Sequence, residues 1–331
     1  MLLFRCLALL LGLIAGSCHS RKGDEEKPLS TDVAEGALAQ TAPAPSHRTM
    51  PSFETMRVAL LGTGTPTPEP GRSKPAVAII AEGRPYIVDF GAGVVGRAVE
   101  GYHLGIAGLD ILRLNRAFAT HLHSDHTSGL SDLWLTPAAV GRMDALQVYG
   151  PKGIDRMVHH LFNAYREDLN IRTHGRPLDA LPPGYRIEAK VIDQGVVYED
   201  PRVKVTAYPV HHGEWEHALA YRFDAHGRSI VISGDTGPTE AIVTACEGCD
   251  VLVHEVYCEA GFEQGPSGFR QYHGAAHTST RQLADIAARA KPKLLVLYHL
   301  LFFGCTEERL LEEIERRYDG DVVLGRDLDI F

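Results

Sequence analysis

The stretch Thr120-His121-Leu122-His123-Ser124-Asp125-His126 places three histidines and one aspartate within six residues. It directly follows Arg116-Ala117-Phe118-Ala119, a run typical of a β-strand. Residues two apart on an extended backbone face the same side, so the first two histidines can bind one metal ion together. A turn at Ser124 would direct the aspartate and the third histidine towards a neighbouring ion. The pattern therefore predicts a two-metal hydrolytic site.

The order H-x-H-x-D-H resembles the signature of the metallo-β-lactamase superfamily, and the similarity extends from about Arg57 to Phe331. The resemblance implies an α/β fold, a four-layer αββα sandwich forming a single catalytic domain, with the metals at one edge of its two sheets. It also implies further ligands at the ends of strands. The ligands expected in this way are His121, His123, His212 and Asp235 for one metal, and Asp125, His126, Asp235 and His299 for the other.

Two adjacent histidines, His211 and His212, end one strand-like run, and only one can face the metals because side chains alternate along a strand. We assign His212, since Ala207–His212 is similar to the ribonuclease Z pattern, in which the ligand stands three places after a proline. Imidazoles and a shared carboxylate suit zinc best, so two Zn²⁺ ions are expected, with iron or manganese as alternatives. Oxidoreductases of the superfamily replace the second signature histidine by Glu, so His123 favours hydrolysis.

The expected catalytic residues are Asp125 and His277. His277 resembles a ribonuclease Z histidine that protonates the leaving oxygen; alternatively, it faces solvent while the Thr-Ser pair after it caps a helix. Asp89 resembles a buried aspartate that orients a ligand histidine, and a strand-end turn residue is the alternative. Glu255, also at a strand end, is expected to hold another ligand histidine.

Aromatic residues near the expected ligands are candidates for a substrate-selecting rim. Trp215 and Phe302 each follow a strand that ends in a ligand, and Phe269 belongs to the Gly-rich segment Gly261–Phe269. For this segment we expect a loop that closes over a bound substrate. The alternative for Phe302 is packing in the core beneath His299.

The N-terminal region has the features of an export signal. Residues 1–18 carry one early cation and an apolar run too short to span a bilayer, which predicts a signal peptide. The small residues before Cys18 resemble a bacterial lipoprotein cleavage site with Cys18 as the lipid anchor; cleavage after Ser17 is the alternative. Residues 19–54 lack apolar periodicity and predict a disordered linker, so residues 55–331 are the expected hydrolase domain. We expect a periplasmic or membrane-anchored protein.

Four further cysteines, Cys246, Cys249, Cys258 and Cys305, allow three disulfide pairings, which the sequence does not distinguish. The short spacing from Cys246 to Cys249 favours a local disulfide, with two free thiols as the alternative. A four-thiolate metal site is disfavoured because no second Cys-x-x-Cys pair is present.

The composition bears on the substrate. The 331 residues include 42 acidic and 33 basic side chains, giving a formal net charge of −9, opposite to that of a dedicated nucleic-acid binder. Only Gly213–Gly234 separate His212 from Asp235, too few residues for the long basic arm with which ribonuclease Z clamps transfer RNA. We therefore expect an exported hydrolase of small phosphodiester or aryl sulfate esters, with nucleic acid disfavoured as a partner.

Several alternatives stay open. One is a ribonuclease Z-like endoribonuclease that processes the 3′ end of transfer RNA. Another is a metal-binding protein without turnover, and the same scaffold also allows lactonase or thioesterase activity. Homo-oligomers are also compatible with the sequence.

Overall fold

The computed structural model of the protein describes residues 56–331. The expected signal peptide at residues 1–18, its Cys18, and the expected linker at residues 19–54 lie outside the described residues. Within residues 56–331, no helix is both long enough and apolar enough to cross a membrane.

The first of two mixed β-sheets contains the strands of the N-terminal half. These are β1 (Arg57–Gly62), β2 (Ala76–Ala81), β3 (Arg84–Val88), β4 (Arg116–Phe118), β5 (Leu146–Gly150) and β6 (Ile187–Val191), in that spatial order. Strands β1 to β3 pair antiparallel, and β3 to β6 pair parallel.

The second sheet contains the strands of the C-terminal half. These are β7 (Gly195–Glu199), β8 (Lys204–His212), β9 (Trp215–Ala225), β10 (Arg228–Ile232), β11 (Val251–Tyr257), β12 (Leu295–Leu301) and β13 (Val322–Leu324), also in spatial order. Strands β7 to β10 pair antiparallel, and β10 to β13 pair parallel.

Ten α-helices accompany the strands in the described part of the chain. They are α1 (Val94–His103), α2 (Ser124–Thr127), α3 (Leu130–Ala139), α4 (Ile154–Ala164), α5 (Arg166–Arg172), α6 (Glu240–Cys246), α7 (Glu259–Glu263), α8 (Ser267–Ala276), α9 (Thr280–Ala290) and α10 (Glu307–Glu315). Short 3₁₀ turns lie at Ile111–Arg113, Leu178–Ala180 and Pro183–Tyr185.

Side-chain alternation on the strands builds three apolar layers. In β1, Val58 and Leu60 pack between the two sheets, whereas Ala59 and Leu61 pack under α1 and α3. In β12, Val296 belongs to the layer between the sheets and the residues beside it pack under α9 and α10. The central strands of both sheets are therefore buried on both faces, which explains their nearly continuous apolar sequences. The four-layer αββα sandwich expected from the resemblance is confirmed.

The Gly-rich segment Gly261–Phe269 is not the loop that its composition suggests. Most of it lies in α7 and in the first turn of α8. The cause is a distant contact: the carboxylate of Glu313 accepts hydrogen bonds from the backbone N–H of Glu259 and Ala260, at the start of α7. A partner more than 50 residues away supplies the N-terminal cap that the local sequence lacks.

The four cysteines form two disulfides in the structure. Cys246 pairs with Cys249 at the end of α6, which is the local bridge that the spacing favours. Cys258 pairs with Cys305 and links the residue after β11 to the segment after β12. This second bridge lies next to the strand that carries His299.

Arg142 is a buried cation that binds several backbone segments at once. Its guanidinium donates to the carbonyl oxygens of Leu114, Leu133, Trp134 and Gly184 at 2.9–3.0 Å. Burial lowers the pKa of Arg142 to about 10, so the group stays charged at neutral pH. Arg142 thereby joins the segment before β4, helix α3 and the turn before β6.

We expect Arg142→Met to lower the free energy of unfolding by roughly 3 kcal/mol or more, because an unsatisfied buried carbonyl costs roughly 1–3 kcal/mol. Urea denaturation followed by circular dichroism measures the change. The exposed Arg317 provides the control, and Arg317→Met should change stability by less than about 0.5 kcal/mol. Equal stability of the two variants would contradict the role given to Arg142.

Candidate metal centre

Strand ends from both sheets bring the candidate ligands to one edge of the sandwich. The signature loop follows β4 and includes α2, His212 is the last residue of β8, and Asp235 follows β10. His299 is an extra residue in β12. Tyr298 pairs with Glu255 of β11 and Leu300 pairs with Val256, so His299 has no partner between them. The bulge, with a left-handed φ of 45° at His299, directs this side chain into the site.

The first donor group consists of His121, His123, His212 and Asp235, whose ligand atoms lie within 4.8 Å of one another. The Nδ1 atom of His123 is 3.0 Å from the Nε2 atoms of both His121 and His212. His212 is buried whereas its neighbour His211 is exposed, as alternation on β8 requires. Four donors at this separation can surround one ion.

The second donor group consists of Asp125, His126 and His299. The Nε2 atoms of both histidines lie 3.5 Å from Oδ2 of Asp125. They also lie 3.3 and 3.4 Å from Oδ2 of Asp235, which is itself 4.0 and 3.9 Å from the Nε2 atoms of His121 and His212. One carboxylate oxygen therefore lies between the two donor groups.

Hydrogen bonds on the far side of the rings fix which nitrogen faces the centre. Nδ1 of His126 lies 2.8 Å from Oδ2 of Asp89, and Nδ1 of His212 lies 2.7 Å from the carbonyl of Ala276. The hydroxyl of Thr120 donates to Asp89 at 2.9 Å and lies 3.0 Å from Nδ1 of His121. In each case the outer nitrogen carries the proton and Nε2 is left for a metal, the arrangement that metal-ligating histidines usually show.

The electrostatics of the site favour bound cations. Burial lowers the pKa of His121 well below its usual value. Burial acts in the same direction on His126, but the carboxylates of Asp235 and Asp89 outweigh it and raise the pKa of His126 well above its usual value. Asp235 is buried too, yet the imidazoles of His299 and His126 hold its pKa well below the ordinary range. The ionised Asp235 thus draws positive charge to the point shared by both groups.

His277 lies beside the two donor groups and is only 5% exposed, so it does not face solvent. Its ring centroid is 5.0 Å from that of His212 and 5.7 Å from that of His299. Its Nδ1 atom lies 3.4 Å from Oε2 of Glu255, which contacts His277 rather than one of the seven expected ligands. Ser279 caps α9 through a capping box. The helix cap of the alternative interpretation is therefore present, although His277 is buried and does not face solvent.

Of the three expected rim residues, only Trp215 lies at the donor groups. Its Nε1–H points at Nε2 of His123 at 2.6 Å, and it lines a cavity of about 760 Å³ with Tyr272. Phe269 packs its ring against those of His273 and Phe303. Phe302 is half-buried: it lines a separate pocket and packs on the apolar layer under α10.

Sequence reasoning missed two residues of the site. The signal for Thr120 is weak, a hydroxyl directly before the first histidine of the signature, yet this hydroxyl connects Asp89 to His121. Tyr272 lies on α8, a helix that begins in the segment expected to be a loop and continues beyond it, and the residue is 53% exposed at the cavity. Only the helix brings Tyr272 opposite the end of β8.

Comparison with known proteins agrees with this fold and site. Residues 103–300 match the Beta-lactamase superfamily domain. A ribonuclease Z from Mycobacterium avium (strain 104) is 34% identical over 283 residues, which cover 82% of this chain and 96% of that protein. Human tRNase Z, short form, superposes with a TM-score of 0.60 at 22% identity, covering 83% of this chain and 98% of that one. The metallo-β-lactamase fold protein YhfI from Bacillus subtilis gives a TM-score of 0.61 at 18% identity, covering 83% and 98%.

Fold and site together define a metal-dependent hydrolase of the metallo-β-lactamase superfamily, and the chain belongs to that superfamily. Within it, the chain belongs to the ribonuclease Z branch. The relatives favour the ribonuclease Z alternative over the small-ester hydrolase that composition and arm length suggest, and they are not arylsulfatases by name.

We expect the wild-type chain to bind about two divalent ions and His212→Ala to retain about one or fewer, because a buried ligand is lost. His211→Ala should keep the wild-type content, since its side chain is exposed on the opposite face of β8. Elemental analysis of dialysed protein measures both. Loss of metal in the His211 variant and not in the His212 variant would show that His211 is the ligand and His212 is not.

Asp89→Ala should weaken metal binding roughly 10–100-fold, since it frees the ring of His126 to turn or change tautomer. Competition with a chromogenic chelator measures the affinity. Asp193 is exposed and forms no side-chain hydrogen bond or ion pair with a candidate ligand within residues 56–331, so Asp193→Ala serves as the control. An Asp89 variant that binds metal as tightly as this control would refute the orienting role.

Proposed function

We propose that the protein is a metal-dependent ribonuclease of the ribonuclease Z type, which hydrolyses a phosphodiester bond near the 3′ end of transfer RNA. The observation that carries this proposal is the single Asp235 oxygen within 4.0 Å of four imidazole nitrogens, two from each donor group. Two ions that share one ligand suit phosphodiester hydrolysis, because attacking and leaving oxygens both carry charge in the transition state.

The absence of a long arm does not exclude this function. The Mycobacterium avium relative carries the name ribonuclease Z, and the chain covers 96% of it. The matched part of this chain therefore spans nearly the whole length of a protein that carries this name. The acidic net charge is likewise a sum over the whole chain, whereas binding of RNA depends on local charge.

The donor sets fit two divalent ions, for which zinc is the proposed identity. His121, His123, His212 and Asp235 would hold one ion, and Asp125, His126, His299 and Asp235 the other. When bound, the ions would activate a water molecule as the nucleophile and neutralise charge on the phosphate. Asp125, which is buried in the second donor group, would accept a proton from that water on a carboxylate oxygen.

His277 is the proposed proton donor to the leaving 3′-oxygen. Its ring lies next to ligands of both donor groups, and Oε2 of Glu255 lies 3.4 Å from its Nδ1 atom. Glu255 is itself held by the backbone N–H groups of Thr236 and Thr278, which donate to Oε1. Proton transfer from a positioned imidazole of this kind contributes typically ~10²–10⁴-fold to a rate.

The cavity beside the first donor group is the proposed seat of the nucleotide next to the scissile bond. Trp215 and Tyr272 offer aromatic surfaces on which a base can stack, and the amide of Gln271 offers hydrogen bonds to a base edge. Its volume, about 760 Å³, lies within the ordinary range for ligand sites.

The metal-loaded protein should cleave a 5′-labelled precursor transfer RNA with a higher kcat/KM than bis(p-nitrophenyl) phosphate, and should leave p-nitrophenyl sulfate intact. Gel analysis and absorbance at the nitrophenolate band measure the three rates. Hydrolysis of the sulfate ester with the RNA left uncleaved would reject the ribonuclease and restore the small-ester alternative.

His277→Ala should lower RNA cleavage by ~10²–10⁴-fold while hydrolysis of bis(p-nitrophenyl) phosphate continues near the wild-type rate. The reason is that a 3′-oxygen must be protonated to leave, whereas nitrophenolate leaves without a proton. His211→Ala is the matched control and should affect neither substrate. An equal loss on both substrates would indicate that His277 supports the site structurally and does not donate the proton.

A further inference from the structure

Helices α4 and α5 form a helical pair between β5 and β6, and the pair begins at the signature loop. The backbone N–H of Ala119 donates to the carbonyl of Tyr149, which joins the chain before the signature to β5. Gly153, at the start of α4, packs so closely on Leu122 that a side chain would meet its Cδ1 atom at 3.1 Å. The first turn of α4 therefore lies against the loop that carries His121 and His123.

One face of α4 is apolar and the other is polar. Ile154 and Val158 are buried in the layer under the first sheet. Arg156 and His160 are four residues apart on the exposed face, which also carries Asp155, and Lys152 is exposed directly before the helix. Because α4 has 11 residues, a row on this face extends about 16 Å outwards from the metal loop.

Four cations near the start of α4 and around α5 lack carboxylate partners. Lys152, Arg156, Arg166 and Arg176 are exposed, and none forms an ion pair or a side-chain hydrogen bond within residues 56–331. Arg172, in contrast, is paired with Asp168 in the same region. From Pro151 to Arg176 there are five arginines and lysines against three acidic residues, while the whole chain has a net charge of −9.

We propose that this α4–α5 cationic surface, formed by Lys152, Arg156, Arg166 and Arg176, binds the phosphate backbone of the RNA that leads into the metal centre. The inference rests on the proposed function, and it names the surface that takes the place of a clamping arm. Exposed, unpaired cations suit this role, since each neutralised phosphate releases counterions and adds affinity without base specificity. Lys152 and Arg156 flank the start of α4, which packs on Leu122 of the signature loop, so a strand bound there passes close to the donor groups.

The test compares two triple variants of the full chain with equal change in charge. Lys152→Ala/Arg156→Ala/Arg166→Ala removes three cations of the surface, and Lys204→Ala/Lys291→Ala/Arg317→Ala removes three exposed cations elsewhere. The metal-loaded proteins are titrated into fluorescein-labelled mature transfer RNA, the product of the proposed cleavage, at several salt concentrations. Bis(p-nitrophenyl) phosphate hydrolysis and metal content check that the site is intact.

We expect the surface variant to bind the RNA about tenfold or more weakly than the control variant at low salt. The slope of log affinity against log salt should fall by about 2, since each phosphate contact contributes roughly 0.7–0.9. Hydrolysis of the nitrophenyl ester and metal content should match the control in both variants.

Two outcomes would overturn the surface assignment while leaving the proposed function intact. The first is equal RNA affinity of both variants. The second is a loss that, in a parallel titration, affects only the binding of the surface variant to anionic phosphatidylglycerol vesicles. The second result would make the surface a membrane contact. Failure of the wild-type chain to bind or cleave any RNA, with nitrophenyl ester hydrolysis retained, would instead reject the proposed function, and with it the RNA surface.

Discussion

The active edge of this protein depends on one buried carboxylate, that of Asp235, whose Oδ2 atom lies within 4.0 Å of imidazole nitrogens from four histidines. Such a group has to meet positive charge, because an isolated buried carboxylate is strongly disfavoured. The strand ends that surround it carry the distortions needed to reach this point. Gly234, directly before Asp235, has a left-handed φ of 60° and lies against Thr120, and His299 is placed by a bulge in β12.

The ligand positions and the layered fold could be predicted from the sequence because both have short-range signals. Strand periodicity placed His212, Asp235 and His299 at strand ends, and a signature of six residues placed the remaining donors. The rest depends on contacts between distant residues. Glu313 initiates α7, Arg142 joins three separate segments, and α8 presents Tyr272 to the cavity, none of which leaves a local pattern. The choice of aromatic rim residues failed at Phe302 because proximity in sequence to His299 does not determine the direction of a side chain.

The expectation of a small-ester substrate rests on the net charge of the chain and on the short spacing between His212 and Asp235. Net charge is a sum over the whole chain and does not describe the charge at one surface. Some acidic residues are paired with arginines, for example Glu240 with Arg289 and Glu307 with Arg72. The cations near the metal loop have no such partners. The relatives at 34% and 31% identity carry the name ribonuclease Z, and the proposed RNA surface rests on these local cations.

The most direct test of the two-metal account is anomalous X-ray diffraction from crystals of the zinc-loaded protein, with data collected on both sides of the zinc absorption edge. We predict two peaks per chain, about 3.5–4 Å apart, on opposite sides of the Asp235 carboxylate. One peak would lie among the nitrogens of His121, His123 and His212, and the other among Asp125, His126 and His299. A single peak, or zinc bound away from Asp235, would contradict the account.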